Sequence, residues 1–149
     1  MGVLIRNGWE IYFHQQLFGE QRRKLRARVK QLKAELPEAD YLGHPEVKLL
    51  AAVMVGIKEK IVLDPLATQF ALTGSLRRYG RMKGMGLPHR YRLFFRAFTS
   101  EERQVIIVLW LGYPRKAGDK RDCYEVFTKM VGNGDFPDNL QELLMAVNE

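Results

Sequence analysis

Near the centre of the chain stand consecutive apolar residues from Val105 to Leu111, Val-Ile-Ile-Val-Leu-Trp-Leu, rich in β-branched side chains. Such a run has the character of a central strand, because branched side chains pack well on a pleated surface. Just before it, Arg90-Tyr91-Arg92-Leu93-Phe94-Phe95-Arg96 alternates. Successive strand residues point to opposite faces, so Tyr91, Leu93 and Phe95 share one face and Arg90, Arg92, Phe94 and Arg96 the other. Ser100-Glu101-Glu102 joins the two as a hairpin loop. A weaker preceding strand is expected within Leu76–Lys83. Short extended pieces at Val3-Leu4-Ile5 and Ile11-Tyr12-Phe13 flank the turn-prone Asn7-Gly8.

Helical periodicity surrounds this core. From Gln15 to Leu36, Leu25, Val29, Leu32 and Leu36 recur on one helical face and Pro37 ends the element. Val47–Ile57, with Pro45 in its first turn, is apolar almost all round and predicts a mostly buried second helix. A short connection makes the two an antiparallel helical hairpin. Asp122 with Glu125 predicts a capped helix that stops at Gly132. Leu140, Leu143, Leu144 and Val147 mark a last short amphipathic one. The expected fold is therefore a two-layer α+β domain with a small twisted antiparallel sheet and C-terminal helices: the hairpin covers Tyr91, Leu93 and Phe95, and the other sheet face carries a row of arginines.

At 149 residues the chain is expected to form one domain, 1–149, with a core large enough to need no metal or disulfide. The one cysteine, Cys123, excludes an intramolecular disulfide and suits a reducing compartment. It falls in a helix first turn, which can lower a thiol pKa, although a small packing residue is the simpler reading. No apolar run approaches the ~18 residues of a membrane span. Met1–Glu10 has no apolar core leading to a cleavage site. A cytoplasmic protein is expected, with no membrane partner.

Charge carries the functional signal. Lysine and arginine total 24 against 17 acids, a net charge of +7. This balance points to an anionic partner. The stretch Ser75–Phe98 contains Arg77, Arg78, Arg81, Lys83, Arg90, Arg92 and Arg96 and no acid at all. A second basic cluster runs from Arg22 to Lys33, and is either a solvated face or an electrostatic contact with ribosomal RNA. A third comprises Arg115, Lys116, Lys120 and Arg121, while the tail from Asp135 is acidic.

Most enzyme signatures are missing. His14, His44 and His89 show no metal-ligand spacing, and no cofactor motif is present. Gly80, Gly84 and Gly86 match no nucleotide-binding pattern. Arginine binds phosphate through its planar fork, and a lysine crowded by cations gives up its proton more easily. Such parts suit a metal-free ribonuclease. They equally suit a solvated basic face or a non-catalytic RNA-binding module.

Several blocks resemble the YhaV family of bacterial toxins: Arg90–Arg96 with the strand ending at Trp110, and the opening Asn7-Gly8-Trp9-Glu10-Ile11-Tyr12 with His14. Thr73-Gly74-Ser75-Leu76 is also similar, as is Lys120–Phe127 with Lys129-Met130. The resemblance implies a RelE-like fold and a type II toxin that cleaves mRNA on translating ribosomes. It also implies inhibition by a PrlF-type, AbrB-like antitoxin, through which alone the toxin would reach operator DNA. By similarity, Arg81 and Lys83 lie on the first basic strand, Arg92 binds the scissile phosphate, and Arg115 or Lys116 supplies the third cation. Lys83 is the expected general base and His89 a candidate acid, with Arg77, Arg78, Arg90, Arg96 and Tyr124 as further RNA contacts. A ParE-like toxin acting on a protein target is the alternative within this resemblance. The Leu111–Asp119 segment, with Pro114, is shorter than the family's usual loop, and Gly86-Leu87-Pro88-His89 is an altered lead into Arg90.

Overall fold

The computed structural model describes residues 4–113 and 122–147. Asn7 and Gly8 both take positive φ, 49° and 81°, the backbone of a tight hairpin turn whose twist matches its strands. They join β1 (Leu4–Arg6) to β2 (Trp9–Phe13) in an antiparallel pair. The chain then crosses the sheet through helices before returning as β3 (Gly80–Met82), β4 (Arg92–Thr99) and β5 (Gln104–Gly112). The five strands lie in the order β1-β2-β5-β4-β3.

The sheet is mixed, which corrects the expectation of an antiparallel one. β2 runs parallel to β5, with Ile11 beside Ile106 and Phe13 beside Val108. A parallel neighbour far away in sequence leaves no local turn signal, because only a crossover connects it. The expected strand in Leu76–Lys83 shrinks to Gly80–Met82, since Gly74–Leu76 forms a 3-10 turn with Gly74 at a φ of 63°.

The first long helix is as read. A π-turn at Gln15–Gly19 leads into α1 (Glu20–Glu35). A short α2 (Glu38–Gly43) intervenes before α3 (Pro45–Val55), which continues through further turns to Leu63. Pro45 opens α3, and the His44 side chain caps it by accepting from the Glu46 N–H at 3.1 Å. Arg28 of α1 reaches Glu46 at 3.1 Å, tying the helices together. Within α3 only Val53 is fully buried, so this helix is half-covered and not mostly buried as its composition suggests.

Both sheet faces are covered, and this corrects the two-layer expectation. On the hairpin side, Ile11, Val53, Ile57, Ile61, Leu93 and Phe95 join Ile106 and Val108 in one core. On the other side, Phe94, Val105, Ile107, Leu109 and Trp110 pack with Phe127 of α4 (Cys123–Gly132) and Leu143 of α5 (Leu140–Leu144). A bulge in the β4–β5 pairing lets Leu109 and Trp110, adjacent in sequence, enter the same core. Beyond Phe13, β2 no longer accompanies β5. There the Gln21 amide donates to the Leu111 carbonyl at 2.9 Å and accepts from its N–H at 2.8 Å. A helix side chain thus completes the backbone hydrogen bonding of the central strand.

His14 sits at the junction of β2 and the C-terminal segment, bridged to Val147 and edge-on to Phe136 at 5.5 Å. It is buried, and its Nδ1 has no hydrogen-bond partner among the described residues. Burial pushes its pKa below the ordinary histidine value, against the weaker pull of Asp135. The unfolded chain therefore binds a proton at higher pH than the folded one, and stability falls as pH drops through about 6.5. Carboxylate titration begins lower, so thermal melts between about pH 7 and 5 report on histidines, and the comparison with a His14 variant separates this one from the rest. We expect Tm to fall across that range in the native chain and to stay flatter in His14→Phe.

Candidate active site

β3 sets Arg81 directly opposite Phe94 on β4. Arg92 precedes Phe94 by two residues on the same face and lies opposite Gly112 at the end of β5. The chain returns at Asp122, whose carboxylate accepts from the Glu125 N–H at 2.9 Å and starts α4 as the capping pattern requires. Gly112 makes room for that return: a Cβ there would lie 2.6 Å from the Cys123 Cβ and 3.1 Å from the Trp110 ring. With this close approach, the next residue, Tyr124, reaches over the sheet end. Its hydroxyl accepts from Arg92 Nε at 3.0 Å, and Arg92 also donates to the Tyr91 carbonyl at 2.8 Å.

The guanidinium carbons of Arg81 and Arg92 lie 6.0 and 5.9 Å from the centre of the Tyr124 ring. The same ring meets Phe94 edge-on at 5.7 Å. Neither arginine belongs to an ion pair among the described residues. Arg81 Nε and one terminal nitrogen are buried there without a hydrogen-bond acceptor. An unsatisfied buried donor carries a desolvation cost that an anionic oxygen at this position would relieve. The arrangement is a pair of preoriented cations on an aromatic support, suited to a phosphate.

Other expected site residues surround or leave this pair. Lys83 is exposed just beyond β3. His89 and Arg90 are exposed in the following loop, whose backbone takes positive φ at Gly84, Met85, Gly86 and Arg90. The loop is held at two points, by buried Leu87 and by Lys60 Nζ donating to the Met85 carbonyl at 2.6 Å. Cys123 is buried against Gly112, and burial raises its thiol pKa more than neighbouring Arg92 lowers it. That agrees with the packing reading and sets aside the alternative of a thiol pKa lowered by the helix first turn. Arg115 and Lys116 lie outside the described residues.

The expected open row of arginines is divided. Phe94 stacks on Phe127 of α4 at 4.2 Å, so the middle of that face is core. Beyond it, Arg96 is buried, reaches Asp138 at 2.7 Å and lies over the Phe98 ring at 4.4 Å. Exposed Arg78 pairs with the same carboxylate, while Arg77 is exposed beside it. Arg78 first, then Arg96, holds the Asp138 carboxyl below its usual pKa. This second cluster pins the C-terminal segment and stands apart from the Arg81–Arg92 pair. Sequence reading missed Asp138, because its partners come from distant elements.

A family of toxins with endonuclease activity, belonging to toxin–antitoxin systems, matches residues 12–148. That span includes every residue of the arginine pair and its support. The chain belongs to the YhaV toxin family. Two relatives from Escherichia coli, named Toxin YhaV and Ribonuclease toxin YhaV, are each 38% identical over 96% of this chain and 94% of their own length. No solved structure matches. As a YhaV-family toxin the chain is an endonuclease, which decides against a non-catalytic basic module, and its system implies an antitoxin partner. Among the described residues, no helix is long and apolar enough to cross a membrane.

Tyr124→Phe in this YhaV-family chain keeps the ring and removes the acceptor for Arg92. We expect a stability loss of about 0.5–1.5 kcal/mol in denaturant melts, with a lower cleavage rate. Gly112→Ala should cost more, about 1–3 kcal/mol, because the added methyl has to displace the first turn of α4.

Proposed function

We propose that the chain is a metal-free endoribonuclease that cleaves mRNA on the ribosome in the cytoplasm, on a RelE-like variant fold. The observation that carries this reading is the convergence of Arg81 and Arg92 on Tyr124, with buried guanidinium donors of Arg81 left without an acceptor among the described residues. A relative over nearly the whole chain bears the name ribonuclease, which points to RNA as the polymer.

Cleavage begins when a base takes the proton from a ribose 2′-hydroxyl. The 2′-oxygen attacks the adjacent phosphorus, the bond to the 5′-oxygen breaks, and an acid protonates the departing oxygen. The products are a 2′,3′-cyclic phosphate and a 5′-hydroxyl. Arg92 binds the scissile phosphate and meets its growing negative charge, with Arg81 beside it. Preorganised cations of this kind act most strongly in the transition state, where the charge is largest. Tyr124 fixes the direction of Arg92 through its hydroxyl. Lys83 serves as general base and His89 as general acid, both exposed around the loop that follows β3. Arg77, Arg90, Arg115 and Lys116 contact flanking phosphates, whereas Arg78 and Arg96 serve mainly to hold Asp138. A PrlF-type antitoxin silences the toxin and carries it to operator DNA.

Primer extension on mRNA incubated with purified toxin tests the reading. Ribosomes are present or absent, Mg2+ is kept throughout because ribosomes need it, and the termini of the cleaved RNA are identified in parallel. Wild type should produce new ends only with ribosomes, and those ends should be a 2′,3′-cyclic phosphate and a 5′-hydroxyl. Arg92→Ala should lose at least ~100-fold in rate, the scale of removing one oxyanion donor, while its circular dichroism is unchanged. A folded Arg92→Ala variant with full activity would remove Arg92 from the mechanism. Equal cleavage of naked RNA would remove the ribosome, and 3′-hydroxyl with 5′-phosphate ends would remove the metal-free 2′-hydroxyl step.

A further inference from the structure

Outside the arginine pair, the strongest unassigned feature is a cleft of about 450 Å³ between α1 and the α2–α3 side of the hairpin. Its floor is apolar, formed by Ala27, Val29, Tyr41 and Leu50. Its rim carries Arg22, Arg26, Lys30 and Lys33, spaced by four, four and three residues and therefore on one helical face. Like charges at this spacing weaken an isolated helix, so the stripe is held at some cost to local stability. Neighbouring Arg23 and Arg28 have carboxylate partners, Glu20 and Glu46. None of the four stripe residues has one among the described residues. Arg22, stacked 4.9 Å from the Phe13 ring centre, also keeps its Nε buried with no acceptor among the described residues.

We infer that this cleft binds an acidic amphipathic helix of a protein partner, at a surface separate from the nuclease site. The cationic rim calls for carboxylates, and the apolar floor calls for aliphatic side chains between them. A nucleic acid backbone would use the rim and leave the floor uncovered. From Arg22 to Lys33 the stripe runs about 17 Å, the length of roughly three helical turns. A helix with carboxylates repeating at three- and four-residue spacing along an apolar ridge fits both features. The toxin–antitoxin assignment supplies the partner that carries it, the antitoxin. The inference rests on that assignment and not on the proposed cleavage chemistry.

A photoreactive benzoylphenylalanine at exposed Ala27, in full-length toxin co-expressed with its antitoxin, reads the contact directly. The crosslink should fall in a helical, Asp/Glu-rich segment of the antitoxin. In parallel, R26E/K30E/K33E should weaken the toxin–antitoxin complex at least tenfold at low salt. The same variant without antitoxin should cleave mRNA as before. If charge reversal unfolds the chain, R26Q/K30Q/K33Q replaces it and should weaken the complex in the same direction. Unchanged affinity in a folded variant would overturn the inference. So would a crosslink to ribosomal RNA accompanied by loss of ribosome co-sedimentation, which would make the cleft an RNA-docking face. Failure of the nuclease reading would look different: wild-type toxin would leave RNA intact while the Ala27 crosslink to antitoxin persisted.

Discussion

The structure depends on one strand that is dry on both sides. From Val105 to Leu111 every residue of β5 is buried. A strand of that kind requires hydrogen-bonded neighbours on both edges and helices on both faces. β4 and β2 provide the edges, the α1–α3 hairpin covers one face, and α4 with α5 covers the other. Where β2 runs out, the Gln21 side chain continues its work at Leu111. The bulge in the β4–β5 ladder adds Trp110 to the core that already holds Leu109, so the far face carries more aromatic bulk than simple alternation allows.

This packing also creates the candidate site. The stack of Phe94 on Phe127 closes the middle of the far face and pushes its cations to the two ends. At one end Arg96 and Arg78 share Asp138, and their charge is spent on holding the C-terminal segment. At the other, Arg81 and Arg92 meet no acid among the described residues and lean on Tyr124 instead. Two arginines of the same strand, four residues apart on the same face, thus have opposite uses. Their difference lies in the single carboxylate that reaches one and not the other. The basic hairpin face is a third, independent cationic surface, separated from the site by the thickness of the sheet.

Much of this was legible beforehand. The alternation of Arg90–Arg96, the apolar run after it, the Asn7-Gly8 turn, the α1 periodicity and the Asp122 cap are local patterns, and each element formed on its pattern, except that β4 opens only at Arg92 because Arg90 takes a positive φ of 72° in the preceding loop. The cation-only window also contained the two arginines of the candidate site. The parallel β2–β5 pairing was not legible, because nothing local distinguishes a parallel from an antiparallel neighbour a hundred residues away. Covering of the second sheet face was missed for a related reason. A short amphipathic C-terminal helix shows that it has an apolar side, not which surface that side meets.

By itself, then, the sequence determined the elements, their faces, the excess of positive charge and its concentration around the central hairpin. These follow from short-range rules: turn backbone, helical and strand periodicity, and capping. The tertiary structure alone decided which arginines meet a carboxylate among the described residues, that Cys123 is buried with a raised thiol pKa, and that Gly112 admits α4 over the sheet end. Pairing, burial and close approach are properties of distant segments brought together, and their energies depend on distances that no local pattern encodes.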